Sequence, residues 1–287
     1  MQSLLPVLSL LYSATFWGIV WYPLRLLADA GLDGLWQAVV SYAAACLLLL
    51  LAHAAGALRL RGRAGDLWRM SLAAGWCNVA FMLAMIEGNV VRVLLLFYLS
   101  PVWAVLLARW WLVERLTRRS LVVLSAALAG AAVMLYEPAM GIPFPSARAD
   151  WLGLSAGVAF AVTTVEARRL QGISIPAKTL ASWVSVVSVA LIWIAAAELP
   201  MPSAPAGAWV GAVALGWTGF FLATLAVQFG TTRLPVQRSA VVMLFELVVG
   251  ALSSAWLAGE YTGTREWVGG FLIAAAGLAA ARNDEVV

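Results

Sequence analysis

Leu112-Val113-Glu114-Arg115-Leu116-Thr117 and Ala258-Gly259-Glu260-Tyr261-Thr262 are two versions of one phrase, with Glu114 and Glu260 lying 146 positions apart. Each version closes a long apolar stretch and opens another, so each marks a joint between two membrane spans. At the same offset Trp110 falls on Trp256 and Arg119 on Arg265. A fainter match at offset 144 pairs Phe16, Arg25 and Leu26 with Phe160, Arg169 and Leu170. The chain therefore reads as two copies of one unit. An odd number of spans per copy would set the copies upside down relative to each other, an arrangement common in secondary transporters.

Composition fixes the solvent. Hydrophobic residues make up 63% of the 287 residues and charged residues only 11%, less than half the soluble share. So few charges cannot clothe a water-facing surface, and the surface must face lipid. The net charge of +4 bears on orientation. The short basic runs at span ends do not form a phosphate-tracking face, so no nucleic-acid partner is expected. Cys46 and Cys77 lie inside apolar stretches and read as helix-packing residues. The first apolar stretch has no basic residue before it and is too long for a leader's core, so it reads as a span.

A helix crosses the hydrocarbon with about 20 apolar residues. Runs of that length predict ten spans, near 4–28, 33–55, 68–88, 90–113, 119–136, 151–171, 177–199, 207–230, 233–257 and 265–282. The long polar connection at 138–150 divides them into a first unit at 1–137 and a second at 151–287. The echoed phrase then joins spans four and five in one unit and nine and ten in the other. The fold expected is an all-α integral membrane protein of ten transmembrane helices, arranged as two inverted five-helix repeats. Thirteen Lys and Arg residues fall on the side of the termini; Arg25, Arg92, Arg148 and Arg265 fall opposite. By the positive-inside rule both termini of this multi-pass chain are expected in the cytoplasm.

In this frame the chain resembles the drug/metabolite transporter superfamily, in its ten-helix EamA-type branch. The residues that carry the resemblance are Trp17-Gly18, the segment from Leu99-Ser100-Pro101-Val102-Trp103 to Leu112–Thr117, and the segment from Phe245-Glu246-Leu247-Val248 to Leu257–Thr262. The family often has Glu-Pro where this chain has Glu246-Leu247. Size and the 15 tryptophans make it most similar, within the branch, to YddG-type exporters of aromatic amino acids. The resemblance implies a transporter, and an aromatic amino acid-like small molecule as its partner.

Polar groups at mid-depth are expensive in lipid and are functional candidates for that reason. Glu246 is the one acid well inside a predicted span, near the midplane by helical rise. It reads either as a proton-coupling or ammonium-binding site, or as a packing carboxyl paired with Arg238 through an intermediary. Pro101 kinks the fourth span and acts as a hinge; the carbonyl it frees can face a cavity, or the kink can serve packing alone. Asn78, Tyr98, Thr163, Gln228 and Gln237 are further mid-span polar candidates, Gln237 nearest the cytoplasmic end. Ser182, Ser185 and Ser188 read as small-residue packing. Trp36, Trp68, Trp110, Trp111, Trp151, Trp209, Trp256 and Trp267 lie near span ends and read as interface anchors. Among the deeper tryptophans Trp17 is the best candidate for a cavity wall that stacks on a flat solute. His53 reads as a wetted helix-end residue.

These residues point to a secondary transporter working by alternating access, facilitated or proton-linked. Carriers of quaternary cations, nucleosides or other metabolites would suit the same cavity. No nucleotide-binding loop is present, and Asp29 with Asp33 cannot by themselves assemble a metal shell, so neither cofactor nor metal is expected and an integral-membrane enzyme is the weaker alternative.

Overall fold

A computed structural model describes residues 4–32, 34–88, 90–114, 117–136, 144–257 and 263–281. The second copy of the echoed phrase, with Glu260, lies outside them, as does Asp33. Every regular element among the described residues is helical: α1 Leu5–Ile19, α2 Trp21–Asp29, α3 Gly34–Ala54, α4 Trp68–Glu87, α5 Val90–Phe97, α6 Ser100–Trp111, α7 Arg118–Leu135, α8 Arg148–Arg169, α9 Ile175–Ala196, α10 Ala206–Leu215, α11 Phe221–Arg233, α12 Val236–Met243, α13 Phe245–Leu257 and α14 Thr264–Ala281. A π turn, Gly216–Phe220, joins α10 to α11. Among the described residues seven helical stretches are long and apolar enough to cross a membrane: Leu5–Asp29, Gly34–Ala54, Arg92–Trp111, Arg118–Leu135, Ile175–Ala196, Ala206–Arg233 and Val236–Leu257. The chain is an all-helical membrane protein.

Four of these stretches are not the continuous rods that hydropathy predicts. Leu5–Asp29 is interrupted at Val20, Arg92–Trp111 at Tyr98 and Leu99, and Val236–Leu257 at Leu244, while Ala206–Arg233 carries the π turn. Two interruptions have a proline behind them. Pro23 and Pro101 lack the N–H that would bond the carbonyls of Ile19 and Phe97, and their rings crowd those carbonyls. The break at Leu244 has none, because Leu247 stands where the first half has Pro101. There the N–H of Leu244 reaches the Ala240 carbonyl at 3.4 Å, and that of Leu247 turns back to Leu244 at 3.1 Å.

The packing respects an exchange of halves. Helix α8 packs against α4 and against α5 and α6; α1 packs against α11 and against α12 and α13. Helices α4 and α9 pair as do α10 with its π turn and α3. The pairs α3 with α9, and α7 with α14, join equivalent elements of the two halves. Small residues let these helices approach. A Cβ on Gly130 would stand 2.7 Å from the Gly269 carbonyl, and Gly269 in turn abuts the Gly130 carbonyl. A second echo appears here: Gly75 abuts Ser185, and Gly216 abuts Ser41, so Gly75-Trp76 and Gly216-Trp217 are equivalent at an offset of 141.

The ends of the bundle are tied by charge. At one end Asp150 Oδ2 accepts from the N–H groups of Ser146 (2.9 Å) and Ala147 (3.1 Å) and pairs with Arg92 Nε at 2.9 Å. Burial opposes the charged form, but those donors and the guanidinium outweigh it, so the carboxyl sits below its ordinary value. A lowered value means stability that is present above the usual aspartate range and lost as the pH falls through the folded-state value. Asp150→Asn is expected to lower the unfolding temperature in detergent at neutral pH, with the gap to wild type closing under acid below about pH 4. A gap independent of pH would contradict the pairing.

At the other end Glu114, the first glutamate of the echo, spans both halves. Its Oε1 lies 3.4 Å from Arg168 Nε on α8, and its Oε2 accepts from the N–H of Val236, the first residue of α12, at 3.1 Å. Arg168 also donates to the Thr232 carbonyl at 3.0 Å. The carboxylate therefore caps a helix N-terminus while the cation caps a helix C-terminus, each favoured by the local dipole. Glu114→Ala is expected to cost about 0.5–2 kcal/mol, the usual worth of a cap. Denaturant unfolding in detergent measures it, and a cost well below that range would remove the capping role.

Candidate substrate site

The four helix interruptions meet. The peptide carbonyl of Glu246, just past the Leu244 break, faces Gly18, two residues before the Val20 break; a Cβ on Gly18 would stand 2.7 Å from that oxygen. The hydroxyl of Tyr98, in the Arg92–Trp111 break, donates to Glu246 Oε1. Phe220, the last residue of the π turn, packs edge-on against Phe16 and Trp17, with ring centroids 5.6 and 5.4 Å apart. Irregular backbone is tolerated at membrane depth where protein encloses it or where it lines a cavity. This level of the bundle is the candidate site.

Its chemistry has two parts. The polar part is the Tyr98–Glu246 pair, with one member from each half. Glu246 lies in the first turn of α13, where the helix dipole favours a negative charge. Close by, Ser253 on α13 donates to the Gly18 carbonyl at 3.0 Å and receives Trp21 Nε1 at 2.9 Å, which locks α1 and α2 onto α13. The aromatic part is a chain of rings, Phe16, Trp17, Phe220 and Tyr42, the last two 4.8 Å apart. Tyr42 donates to Asn78 Oδ1 at 2.7 Å, and Asn78 Nδ2 donates to the Ala74 carbonyl at 2.9 Å.

Of the residues singled out from sequence, the structure brings Trp17, Asn78, Tyr98 and Glu246 into this region. Pro101 is buried in the first turn of α6, where it shapes the break. The carbonyl it frees, that of Phe97, points at Gly157 on α8; a Cβ there would stand 2.7 Å away. That carbonyl serves helix packing. Thr163 bonds back to the Ala159 carbonyl at 2.9 Å on its own helix. Gln228 is buried between α11 and α9, with its amide 3.5 Å from Ser182 Oγ. Gln237 Oε1, near the start of α12, is buried without a hydrogen-bond partner among the described residues.

Two clefts, of about 410 and 540 Å³, open at helix ends instead. One is lined by Glu87, Arg92, Arg148 and Asp150, the other by Arg61, Arg168, Thr232 and Arg233. They lie at opposite ends of α8, and none of the eight residues singled out lines either. Trp68, Trp110, Trp151, Trp256 and Trp267 are exposed, as interface anchors are, whereas Trp183 is 1% exposed. Sequence reading passed over Tyr42, Phe220 and Gly18 as partners in the site. The Gly-Trp echo at offset 141 marks the α4 and π-turn walls and was the signal available for Phe220.

No curated protein matches the chain. A crystal structure of another protein aligns with a TM-score of 0.78 over 98% of this chain and 99% of the other, at 18% identity, which is likeness of fold. The model of the EamA-like transporter family matches twice, over residues 4–136 and 147–280. The chain belongs to the EamA-like transporter family, and so is a membrane transporter of small metabolites rather than an enzyme.

Proposed function

We propose that this transporter is an exporter or facilitator of aromatic and other neutral amino acids and related small amphipathic metabolites, resident in a bacterial inner membrane with both termini cytoplasmic. Ten spans form two inverted five-helix units, 1–137 and 151–287, joined by 138–150, and the solute is held between them at mid-depth. The observation that carries the reading is the Tyr98–Glu246 pair, set between the halves beside the rings of Trp17 and Phe220. A carboxylate receives an ammonium, and the rings stack on an aromatic side chain or sense a cation. A proton on Glu246 would compete with the ammonium for the same oxygen, which gives a route to proton-linked exchange.

The family match and the paired packing of the halves support alternating access, in which one unit rocks against the other around a fixed site. The test is counterflow in proteoliposomes with aromatic amino acids, nucleosides and quaternary amines. Saturable exchange of tryptophan or phenylalanine is expected. Exchange confined to quaternary amines would reassign the cargo to cations, and non-saturating flux would make the protein a pore.

A further inference from the structure

Between α9 and α11 runs a seam of polar groups that the protein leaves unsatisfied. On α9 it presents Thr179, Ser182 and Trp183, and on α11 Thr224 and Gln228. All five are buried, Thr179 at 0%, Trp183 at 1% and Gln228 at 4% exposure. Thr179 Oγ1, Trp183 Nε1, Thr224 Oγ1 and Gln228 Oε1 have no hydrogen-bond partner among the described residues. Spacing puts the groups on facing surfaces. Thr179 and Trp183 are one turn apart, as are Thr224 and Gln228. The Gln228–Ser182 contact and the Trp183–Phe221 ring pair, at 5.8 Å, join the two helices. An unmatched polar atom in a dry interior costs about 1–3 kcal/mol, and four of them in one seam call for a ligand.

The seam has two ends. At the basic end of the bundle Lys178, fully buried, donates to the Ala167 carbonyl at 2.9 Å and to Thr232 Oγ1. These acceptors belong to the last turns of α8 and α11, so two helix C-termini compensate the ammonium. Thr232 accepts and donates at once, bonding Gln228's carbonyl as well, and it lines the 540 Å³ cleft. At the inner end Phe221 follows Phe220, which packs on Trp17. The seam thus joins an open cleft to the candidate site.

We propose that this seam is a hydrated passage: bound water molecules bridge Thr179, Trp183, Thr224 and Gln228 and link the Arg168–Arg233 cleft to the aromatic wall at Phe220. Water fits where a metal cation does not. The set mixes an obligate donor, the indole N–H, with an obligate acceptor, the amide oxygen, and hydroxyls that serve as either. A positive ammonium stands at its mouth. Each water in such a place takes about three hydrogen bonds from otherwise unmatched groups. The passage does not depend on which solute is carried; it supplies the site with a polar route for a proton from that cleft.

X-ray hydroxyl-radical footprinting of the detergent-solubilised full chain tests it, since radicals form at bound water as well as in bulk. Trp183 is expected to be oxidised despite its burial, whereas Met243, buried among Val7, Leu10 and Val242 and intrinsically more reactive, is not. Thr224→Val gives a second reading that does not rely on labelling. In a hydrated seam it removes a bridge and lowers the unfolding temperature; in a dry seam it removes a buried orphan and raises it. Protection of Trp183 equal to that of Met243, or a more stable Thr224→Val, overturns the proposal.

Discussion

Glu246→Gln is expected to abolish pH-driven uptake into proteoliposomes and to cut substrate exchange by at least tenfold. Glutamine keeps the length and the acceptor for the Tyr98 hydroxyl but carries no negative charge and takes no proton. A tenfold loss corresponds to about 1.4 kcal/mol of binding, close to the lower end of the worth of a hydrogen bond to a charged group, about 1.5–3 kcal/mol. Tyr98→Phe separates two roles of the pair. It removes the donor and leaves the carboxyl, so exchange should weaken by a smaller factor while its pH response persists with a shifted midpoint. If Glu246→Gln retains both wild-type exchange and wild-type pH response, the carboxyl is a packing group and the proposed mechanism fails.

Gly18→Val is expected to damage both stability and exchange. Even the first added carbon would stand 2.7 Å from the Glu246 carbonyl and from Val249 Cβ, and neither can step aside without moving α13. Overpacking of this kind costs about 1–3 kcal/mol, and the branched side chain adds a second carbon in the same place. Because the displaced backbone is that of Glu246 itself, loss of exchange should accompany the fall in unfolding temperature. Gly250→Ala is the control on the facing helix, since its nearest neighbour is the Gly18 carbonyl at 3.7 Å. Equal behaviour of Gly18→Val and Gly250→Ala would show that the close crossing is not a constraint.

Much of the fold could be read along the chain because lipid makes hydropathy almost sufficient. The span expected at 119–136 is α7 Arg118–Leu135, and that at 177–199 is α9 Ile175–Ala196. What hydropathy cannot see is an interruption that leaves composition unchanged. The Leu244 break lies in Val-Met-Leu-Phe-Glu, which contains no proline or glycine; what accompanies it is distant in sequence, Gly18 against the Glu246 backbone and Tyr98 against its side chain. Tyr98 and Glu246 each stood out as costly in lipid, but their pairing spans 148 residues and has no local signature. Lys178 counts toward a basic end in any tally of charges, and that tally does not reveal that two helix termini swallow it whole. The Gly-Trp echo was hidden because the helical run from Trp217 to Arg233 is five residues longer than that from Trp76 to Glu87, which moves its offset from 146 to 141.

The convergence of four interrupted helices has a mechanical consequence. A straight transmembrane rod is a lever: tilting it to open one membrane face drives its other end across the opposite face. A rod jointed at mid-depth transmits much less. The eight residues of α12 make a stiff piece of about 12 Å, and the thirteen of α13 one of about 20 Å, with a joint between them at Leu244. The bundle is in effect two storeys on a common landing, the construction that the proposed alternating access requires.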